Sequence, residues 1–442
     1  MKPEFRRSPR FWLLAIFMLA LAVRLIYLGV MVGFNSPVPL RYDDGTYDGL
    51  ARSIASGHGM TLWDKPSTIV SPGYPYFIGG CYAIFGPAPS GPRVVQALIG
   101  SSTVVLVSAF ALELGLGLPA AVLAGTIASF HPSAVYFTGR YFPMILHAAL
   151  LAAAIYALLR WRRRGWLWLI MSGVMLGIAA LVRSDVLMLV PLMALSLLPL
   201  VGWGRRWVAA AVLLVGIAYA LQLPWLVRCE RIGGLQAFPT TFTWRTLWGG
   251  DNPWSRGGPV TAERIIAHYD TPGSEAGLRP AMREQLFALR QWQAIRTQMT
   301  EAQAESAFKY MTLTWRAREP GRYIANIGRK LLAFASPWPM QGGDVLRRYG
   351  LILGLSYGIW LPLALIGFVA AWRLGPARWM FIAVVLQILM TTAAVCGHPR
   401  LRFATEVLFM PYAGYGIVRL RDWLIRRRRP DAGTESSPGT HA

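Results

Sequence analysis

Apolar residues gather in windows of roughly 20 residues bounded by charge, at about 11–33, 91–114, 118–137, 142–160, 166–183, 186–202, 207–227, 345–372, 377–396 and 402–420. Helices of that length cross a hydrocarbon layer while satisfying their own backbone hydrogen bonds. The pattern predicts an all-α polytopic membrane protein with about ten transmembrane helices. A polar interruption, His131 to Tyr141, flanks the third and fourth windows. The first window exceeds the h-region of a leader and lacks a small-residue cleavage site, so it is read as a span.

Two long polar stretches remain between the spans. The first is residues 34–72, the second 229–344. They divide the chain into an N-terminal membrane region (1–228) containing the first loop, an outer segment (229–344), C-terminal membrane helices (345–424) and a tail (425–442). Within the first loop, Tyr47, Leu50, Ala51, Ile54 and Ala55 recur at i, i+3, i+4, i+7 and i+8, which predicts an amphipathic helix lying on the membrane surface. Pro72 and Gly73 break the chain before a short apolar stretch, 74–86, expected to enter the membrane only partly. Residues 281–318 have helix-forming composition, and Pro320-Gly321 is expected to end that run. The tail from Pro430 reads as disordered. No internal repeat is evident.

Composition narrows the class. The chain is 55% hydrophobic and 15% charged, with a mean hydropathy of +0.41, which excludes an ordinary soluble globular protein. Lys and Arg number 44 against 21 Asp and Glu, a net charge of +23. Such a balance can signal nucleic acid binding, but beside these apolar runs it reads as basic residues at a membrane edge. Lys2, Arg6, Arg7 and Arg10, then Arg160 and Arg162 to Arg164, Arg205 with Arg206, Arg373 with Arg378, and Arg419, Arg421 and Arg426 to Arg429 all fall on one side of a ten-helix bundle. That side is expected to be the cytoplasm of a bacterial inner membrane, with both termini on it. Cys81, Cys229 and Cys396 are too few and scattered for a disulfide framework or a zinc site.

Candidate chemistry lies in the outer segments. The first loop reads Arg41-Tyr42-Asp43-Asp44-Gly45-Thr46-Tyr47-Asp48. Asp44 is well placed to cap the helix that follows. Asp43 has no such duty; beside a second carboxylate at the membrane surface it could take a proton from a hydroxyl nucleophile, or remain a solvated charge paired with Arg41. Tyr74 and Tyr76 read first as interfacial anchors and second as substrate contacts. Arg93, Arg140, Arg183, Arg400 and Arg402 sit at outer ends of spans, against the positive-inside bias. Guanidinium forks suit phosphate oxygens, so Arg183, Arg400 and Arg402, with His398 and Lys330 nearby, are candidate phosphate ligands. Snorkelling to head groups, or for Arg183 pairing with Asp185, is the alternative. The turn Trp248-Gly249-Gly250-Asp251-Asn252-Pro253-Trp254 offers aromatics and Asn252 to a sugar. No Walker A loop, H-E-x-x-H, dinucleotide fingerprint or G-x-S-x-G occurs.

Taken in order, several short motifs resemble one family. They are Asp43-Asp44-x-x-Tyr47-x-x-x-Ala51, Gly57-x-Gly59, Ser71-Pro72-Gly73-Tyr74-Pro75, Gly177-x-x-x-Leu181-x-Arg183, Leu247-Trp248-x-Gly250-Asp251-Asn252-Pro253 and Arg400-x-Arg402. Together they are similar to the bacterial GT-C membrane glycosyltransferases, in the protein-mannosyltransferase-like and lipid A aminoarabinose-transferase-like branch. The resemblance implies transfer of a sugar from a polyprenyl-phosphate donor to an envelope lipid, glycan or protein acceptor on the periplasmic face, with inversion. It implies Asp43 at the reaction centre; beside it the residue pattern itself offers Asp44, with Arg183, Arg400, Arg402, Lys330 and His398 as candidate donor-phosphate ligands and Tyr47, Arg140, Tyr74 and Asn252 as candidate substrate contacts. Many relatives carry a second acid at the outer end of the third or fourth span, where this chain has Thr138-Gly139-Arg140-Tyr141-Phe142-Pro143. Asp44, Asp48 or Asp185 could stand in for it. No cofactor is expected to be required, although a divalent metal could sit near Asp43 and Asp44, a thin ligand set. The competing reading is a transporter or flippase for a lipid-linked or anionic solute, since intramembrane cations and broken helices serve that role too.

Overall fold

The computed structural model describes residues 8–39, 43–234, 238–271, 273–275, 277–337, 344–375 and 378–427. Lys2, Arg6, Arg7, Arg41 and the tail from Pro430 lie outside them. All ten predicted spans are helical, several of them broken. The chain opens with α1 (Pro9–Tyr27), prolonged by a π-helical turn, Leu28–Val32. The first loop forms α2 (Asp43–Ala55), a two-residue hairpin pairing Thr61 with Pro66, and α3 (Gly73–Phe85). Then come α4 (Ser90–Glu113), α5 (Leu118–Ser129), α6 (Pro132–Thr138), α7 (Met144–Arg164) and α8 (Trp166–Val182). Next are α9 (Val186–Ser196), α10 (Leu198–Val201), α11 (Arg205–Ala220) and α12 (Leu223–Gly233). The second polar stretch holds α13 (Thr243–Gly250), α14 (Ala262–His268), α15 (Pro280–Ile295), α16 (Glu301–Arg318) and α17 (Pro320–Ala335). Last are α18 (Asp344–Ala370), α19 (Arg378–Ala394) and α20 (Pro399–Arg427).

By length and apolarity four of these helices can cross a membrane alone, within 9–32, 90–113, 144–161 and 350–370. The count reaches six when α5–α6, bent by 50°, and α11–α12, bent by 41°, are each taken as one span. The α5–α6 bend falls at His131-Pro132, because proline has no N–H to continue the ladder and constrains the residue before it. Shorter apolar helices run over 166–182, 186–201 and 378–394.

Small residues let these helices approach closely where no water can drive packing. Gly177 on α8 faces α11; a Cβ there would come within 2.6 Å of the Leu221 side chain, and Gln222 donates to the Gly177 carbonyl at 2.9 Å. Gly250, at the end of α13, abuts the Val395 carbonyl beyond α19. Two glycines of the sequence motifs are thus close-approach positions.

The run expected over 281–318 is two helices. Thr300 and Gln303 form a reciprocal capping box that starts α16 afresh. Pro320 begins α17 at its N-terminal turn rather than only ending α16, because its missing N–H would be unpaired there anyway.

Candidate active site

The first loop builds its site from α2 outward. The helix begins at Asp43, so Asp44 lies in its first turn and not at the capping position. Asp43 is exposed, while Asp44 is 1% exposed. A helical step of four residues puts Asp44 and Asp48 on one inward face with Ala51, while Leu50 is buried on another side of the helix. Such buried carboxylates need partners. Arg140, from the α6–α7 turn, grips Asp44 with Nε to Oδ1 at 3.1 Å and Nη2 to Oδ2 at 2.6 Å, and the Tyr141 N–H donates to Oδ1 at 2.9 Å. Burial raises the Asp44 pKa above the usual carboxylate value, against the pull of Arg140 and the Tyr141 amide.

Asp48 is held as firmly. Arg52 Nε donates to it at 2.8 Å, the Tyr82 hydroxyl donates to its other oxygen, and that hydroxyl contacts the Tyr141 hydroxyl at 2.9 Å. Burial pushes the Tyr141 phenol up to about 12, so it stays protonated. Beneath the loop, Arg93 donates to the carbonyls of Gly33, Phe34, Ser36 and Gly139, tying the end of α1 to the α6–α7 turn. Gln96 donates to the carbonyls of Thr138 and Arg140 at 3.1 and 3.2 Å. The Arg140–Tyr141 turn is therefore fixed from two sides before any substrate binds.

Tyr47 packs its ring edge-on to Tyr74, with centroids 4.9 Å apart. Tyr74 is 0% exposed and donates its hydroxyl to Gln96 at 2.8 Å. That corrects both expectations for Tyr74: it is neither an interfacial anchor nor a substrate contact, because its ring and its polar atom are consumed in the core. Tyr76, on the other side of α3, is exposed.

The expected ring of cations is instead a set of ion pairs. Arg183 binds Asp185 through Nε and Nη2 at 3.1 and 3.0 Å, and its Nη1 has the Met144 sulfur, a weak acceptor, at 3.6 Å. It adjoins the first loop: Val182 packs in the cluster of Tyr74, Tyr82 and Tyr141, and the Tyr47 hydroxyl lies within its electrostatic reach. Lys330 is wholly buried; its ammonium meets Asp251 at 2.6 Å and the carbonyls of Ala393 and Ala394 at 3.0 and 3.2 Å. An ammonium has three protons, and three acceptors use them, so Lys330 has none left for a donor phosphate. Burial lowers its pKa, opposed by Asp251. Arg402 is spent as well, on Glu406 at 2.7 Å, the carbonyls of Phe334 and Ser336, and the Tyr357 ring 3.7 Å below it. His398 is half-buried in the turn before α20. Arg400 opens α20, and its side chain lies outside the described residues.

Asn252 is likewise structural. It donates to the carbonyls of Trp248 and Gly249 and accepts from the Trp254 N–H, which closes the turn and leaves it 1% exposed, so it does not reach a sugar. Trp248 is buried with its indole N–H on Gln285. Asp251 in this turn is the anchor for Lys330, Arg316 and Asn326.

The parts of the site the sequence analysis missed are the Asp44–Arg140 pair and the Asp48–Tyr82–Tyr141 chain. A signal for Asp48 was present: Asp44, Asp48 and Arg52 stand four residues apart on one helix face. No group of three or more His, Cys, Asp or Glu suited to a metal occurs among the described residues.

The fold, an all-α bundle with several apolar helices, is similar to that of solved oligosaccharyltransferase structures. Residues 64–227 match the family model described as dolichyl-phosphate-mannose-protein mannosyltransferase. Two solved structures of the oligosaccharyltransferase from Archaeoglobus fulgidus align with the chain. AglB in complex with an inhibitory peptide and a dolichol-phosphate does so at TM-score 0.52 and 14% identity, covering 95% of this chain and 51% of that one. The form tethered to an acceptor peptide with the NVT sequon does so at TM-score 0.54 and 13% identity, covering 97% and 51%. ArnT from Cupriavidus metallidurans bound to undecaprenyl phosphate aligns at TM-score 0.44 and 14% identity, covering 93% and 79%. The chain spans about half the length of the archaeal enzymes it matches. No curated protein matches it in sequence at a significant level.

Proposed function

We propose that this protein is a glycosyltransferase that moves a sugar from a polyprenyl-phosphate donor to an envelope lipid, glycan or protein acceptor at the end of the bundle carrying α2. That end faces the periplasm and both termini face the cytoplasm of a bacterial inner membrane, as the distribution of Lys and Arg favours. The observation that carries the reading is the exposed Asp43 carboxylate at the head of α2, in a GT-C fold, over a turn immobilised by Asp44 and Arg140.

The acceptor hydroxyl oxygen forms its bond to the anomeric carbon as the bond from that carbon to the phosphate oxygen breaks. Its proton passes to Asp43, which acts as general base, and the configuration inverts. Polyprenyl phosphate departs with added negative charge, which Arg183 and Arg400 stabilise; Arg183 is the one described cation beside the first loop whose Nη1 faces only a thioether. Asp44 and Arg140 act on the geometry alone. The family description over 64–227 and the dolichol-phosphate bound by the archaeal relative support a lipid-linked donor.

The test is incubation of purified protein with radiolabelled polyprenyl-phosphate sugars and an envelope lipid extract. Label moving to an acceptor in the wild type, and lost by a factor of about 100 or more in Asp43→Asn at unchanged expression and melting temperature, is the expected result. Full transfer by Asp43→Asn removes that residue from the mechanism; label crossing the bilayer without transfer makes the protein a carrier.

A further inference from the structure

A cavity lies at the end of the bundle opposite α2. It has a volume of about 300 Å³ and is framed by the ends of α4, α7, α18 and α19 with the middle of α20. Its lining mixes polar surface with apolar side chains, Leu158, Phe368 and Met380 among them. Its charged lining is Glu113, Arg163 and Arg378.

The charges do not cancel. Glu113 is held by Arg160 at 2.6 Å and reached by Arg163 at 3.7 Å, so the one carboxylate of the lining is already paired with two guanidinium groups, and Arg378 adds a further positive charge to the lining. Arg163 keeps 76% of its side chain exposed. Arg378 caps the carbonyls of Trp372 and Gly375 through Nη1, while its Nε is buried without a hydrogen-bond partner among the described residues. A buried guanidinium N–H left open costs free energy that a further acceptor would recover. Arg378 also opens α19, whose first-turn N–H groups favour an anion.

Two indoles set the depth. Trp372 and Trp379 flank the Arg378 guanidinium at 4.8 and 5.8 Å, and tryptophan concentrates at the head-group level of membranes. A chamber between apolar helices that offers both polar and apolar surface, with excess positive charge at its rim, suits an anion carrying a hydrocarbon chain.

We propose that this cavity is a binding site for an anionic phospholipid of the adjoining leaflet, with its phosphodiester between Arg163 and Arg378 and the start of an acyl chain against Leu158 and Phe368. The site is separate from the α2 region, so it stands whether or not the protein transfers sugars.

The full chain, purified in detergent, is titrated with phosphatidylglycerol, phosphatidylcholine and inorganic phosphate, and binding is read by native mass spectrometry and by the thermal midpoint. Phosphatidylglycerol is expected to remain bound and raise the midpoint; the other two are expected to do neither. Arg163→Gln, at an exposed rim position, should weaken phosphatidylglycerol about tenfold, the loss of one charge-assisted contact. Leu374→Trp, in the exposed turn lining the cavity, should block binding by filling it. Both variants should keep the lipid-free midpoint of the wild type. The proposal is overturned if phosphatidylglycerol does not bind, if both variants bind it like the wild type, or if inorganic phosphate gives the same shift, which would make the cavity a free-anion site.

Discussion

Arg140 holds Asp44 with two parallel N–H···O bonds across 96 residues of sequence, and the aspartate side chain is all but inaccessible while the arginine side chain is 23% exposed. The two partners are therefore unequal. Removing the arginine strands a buried charge; removing both leaves a gap with no charge in it. Arg140→Gln is expected to destabilise the protein by about 3 kcal/mol, and Arg140→Gln combined with Asp44→Asn by less. Thermal unfolding of the wild type and the two variants in one detergent checks the order. A double variant less stable than Arg140→Gln would show that Asp44 is held chiefly by the Tyr141 amide.

The same pair shows what the sequence could and could not reveal. The spans are legible because a hydrocarbon layer imposes a length and an apolarity on each, and α2 is legible because its apolar positions repeat with a helical period. Which acid of the Asp43-Asp44 doublet turns inward depends on where the helix starts, and a one-residue error in that start exchanges them. The counter-ions were illegible for a different reason. Asp251 and Lys330 are 79 residues apart, and nothing local in either marks the other. Lys330 and Arg140 looked like candidate ligands because their carboxylates, Asp251 and Asp44, come from elsewhere in the chain, whereas the partner of Arg402, Glu406, stands only four residues on. For Arg183 the partner, Asp185, was two residues away and was foreseen as the alternative.

Arg183 and Lys330 should separate cleanly in kinetics. Arg183→Gln is expected to raise the KM for the lipid-phosphate donor and lower kcat about tenfold or more, together with a loss of stability from the Asp185 carboxylate it leaves without its two N–H donors. Lys330→Met is expected to lower stability while sparing the KM of the protein that remains folded, because Asp251 loses a fully buried partner yet retains Arg316. Measuring donor KM and melting temperature for both variants decides it. A raised donor KM in Lys330→Met would return that residue to the phosphate site.

Tyr74 provides a test of core against contact. Its hydroxyl donates to Gln96, which in turn fixes the carbonyls of Thr138 and Arg140. Tyr74→Phe removes one buried hydrogen bond and leaves the Gln96 oxygen unsatisfied, so a loss of about 1–2 kcal/mol in stability is expected. Donor and acceptor KM should stay at wild-type values, since the ring never reaches solvent. An acceptor KM raised severalfold at unchanged stability would place Tyr74 in contact with substrate after all.

The first loop and the second polar stretch meet at Glu301, the first residue of α16. One carboxylate oxygen accepts from the Ser67 hydroxyl at 2.6 Å; the other accepts from the Thr68 N–H at 3.0 Å and the Thr241 hydroxyl at 2.7 Å. Three donors from two segments converge on a residue that also benefits from the positive end of its own helix. Glu301→Gln keeps the shape but replaces one acceptor oxygen by an amide donor, which must then face a hydroxyl or an N–H. The contact between the stretch following α2 and the α13–α16 unit should loosen, and hydrogen exchange of the Thr68 and Thr241 amides, the latter bonded to the Thr68 carbonyl, should accelerate together by about tenfold or more. Glu301→Ala should do the same. If exchange rises at only one of the two amides, Glu301 caps its own segment and does not couple the loop to the outer helices.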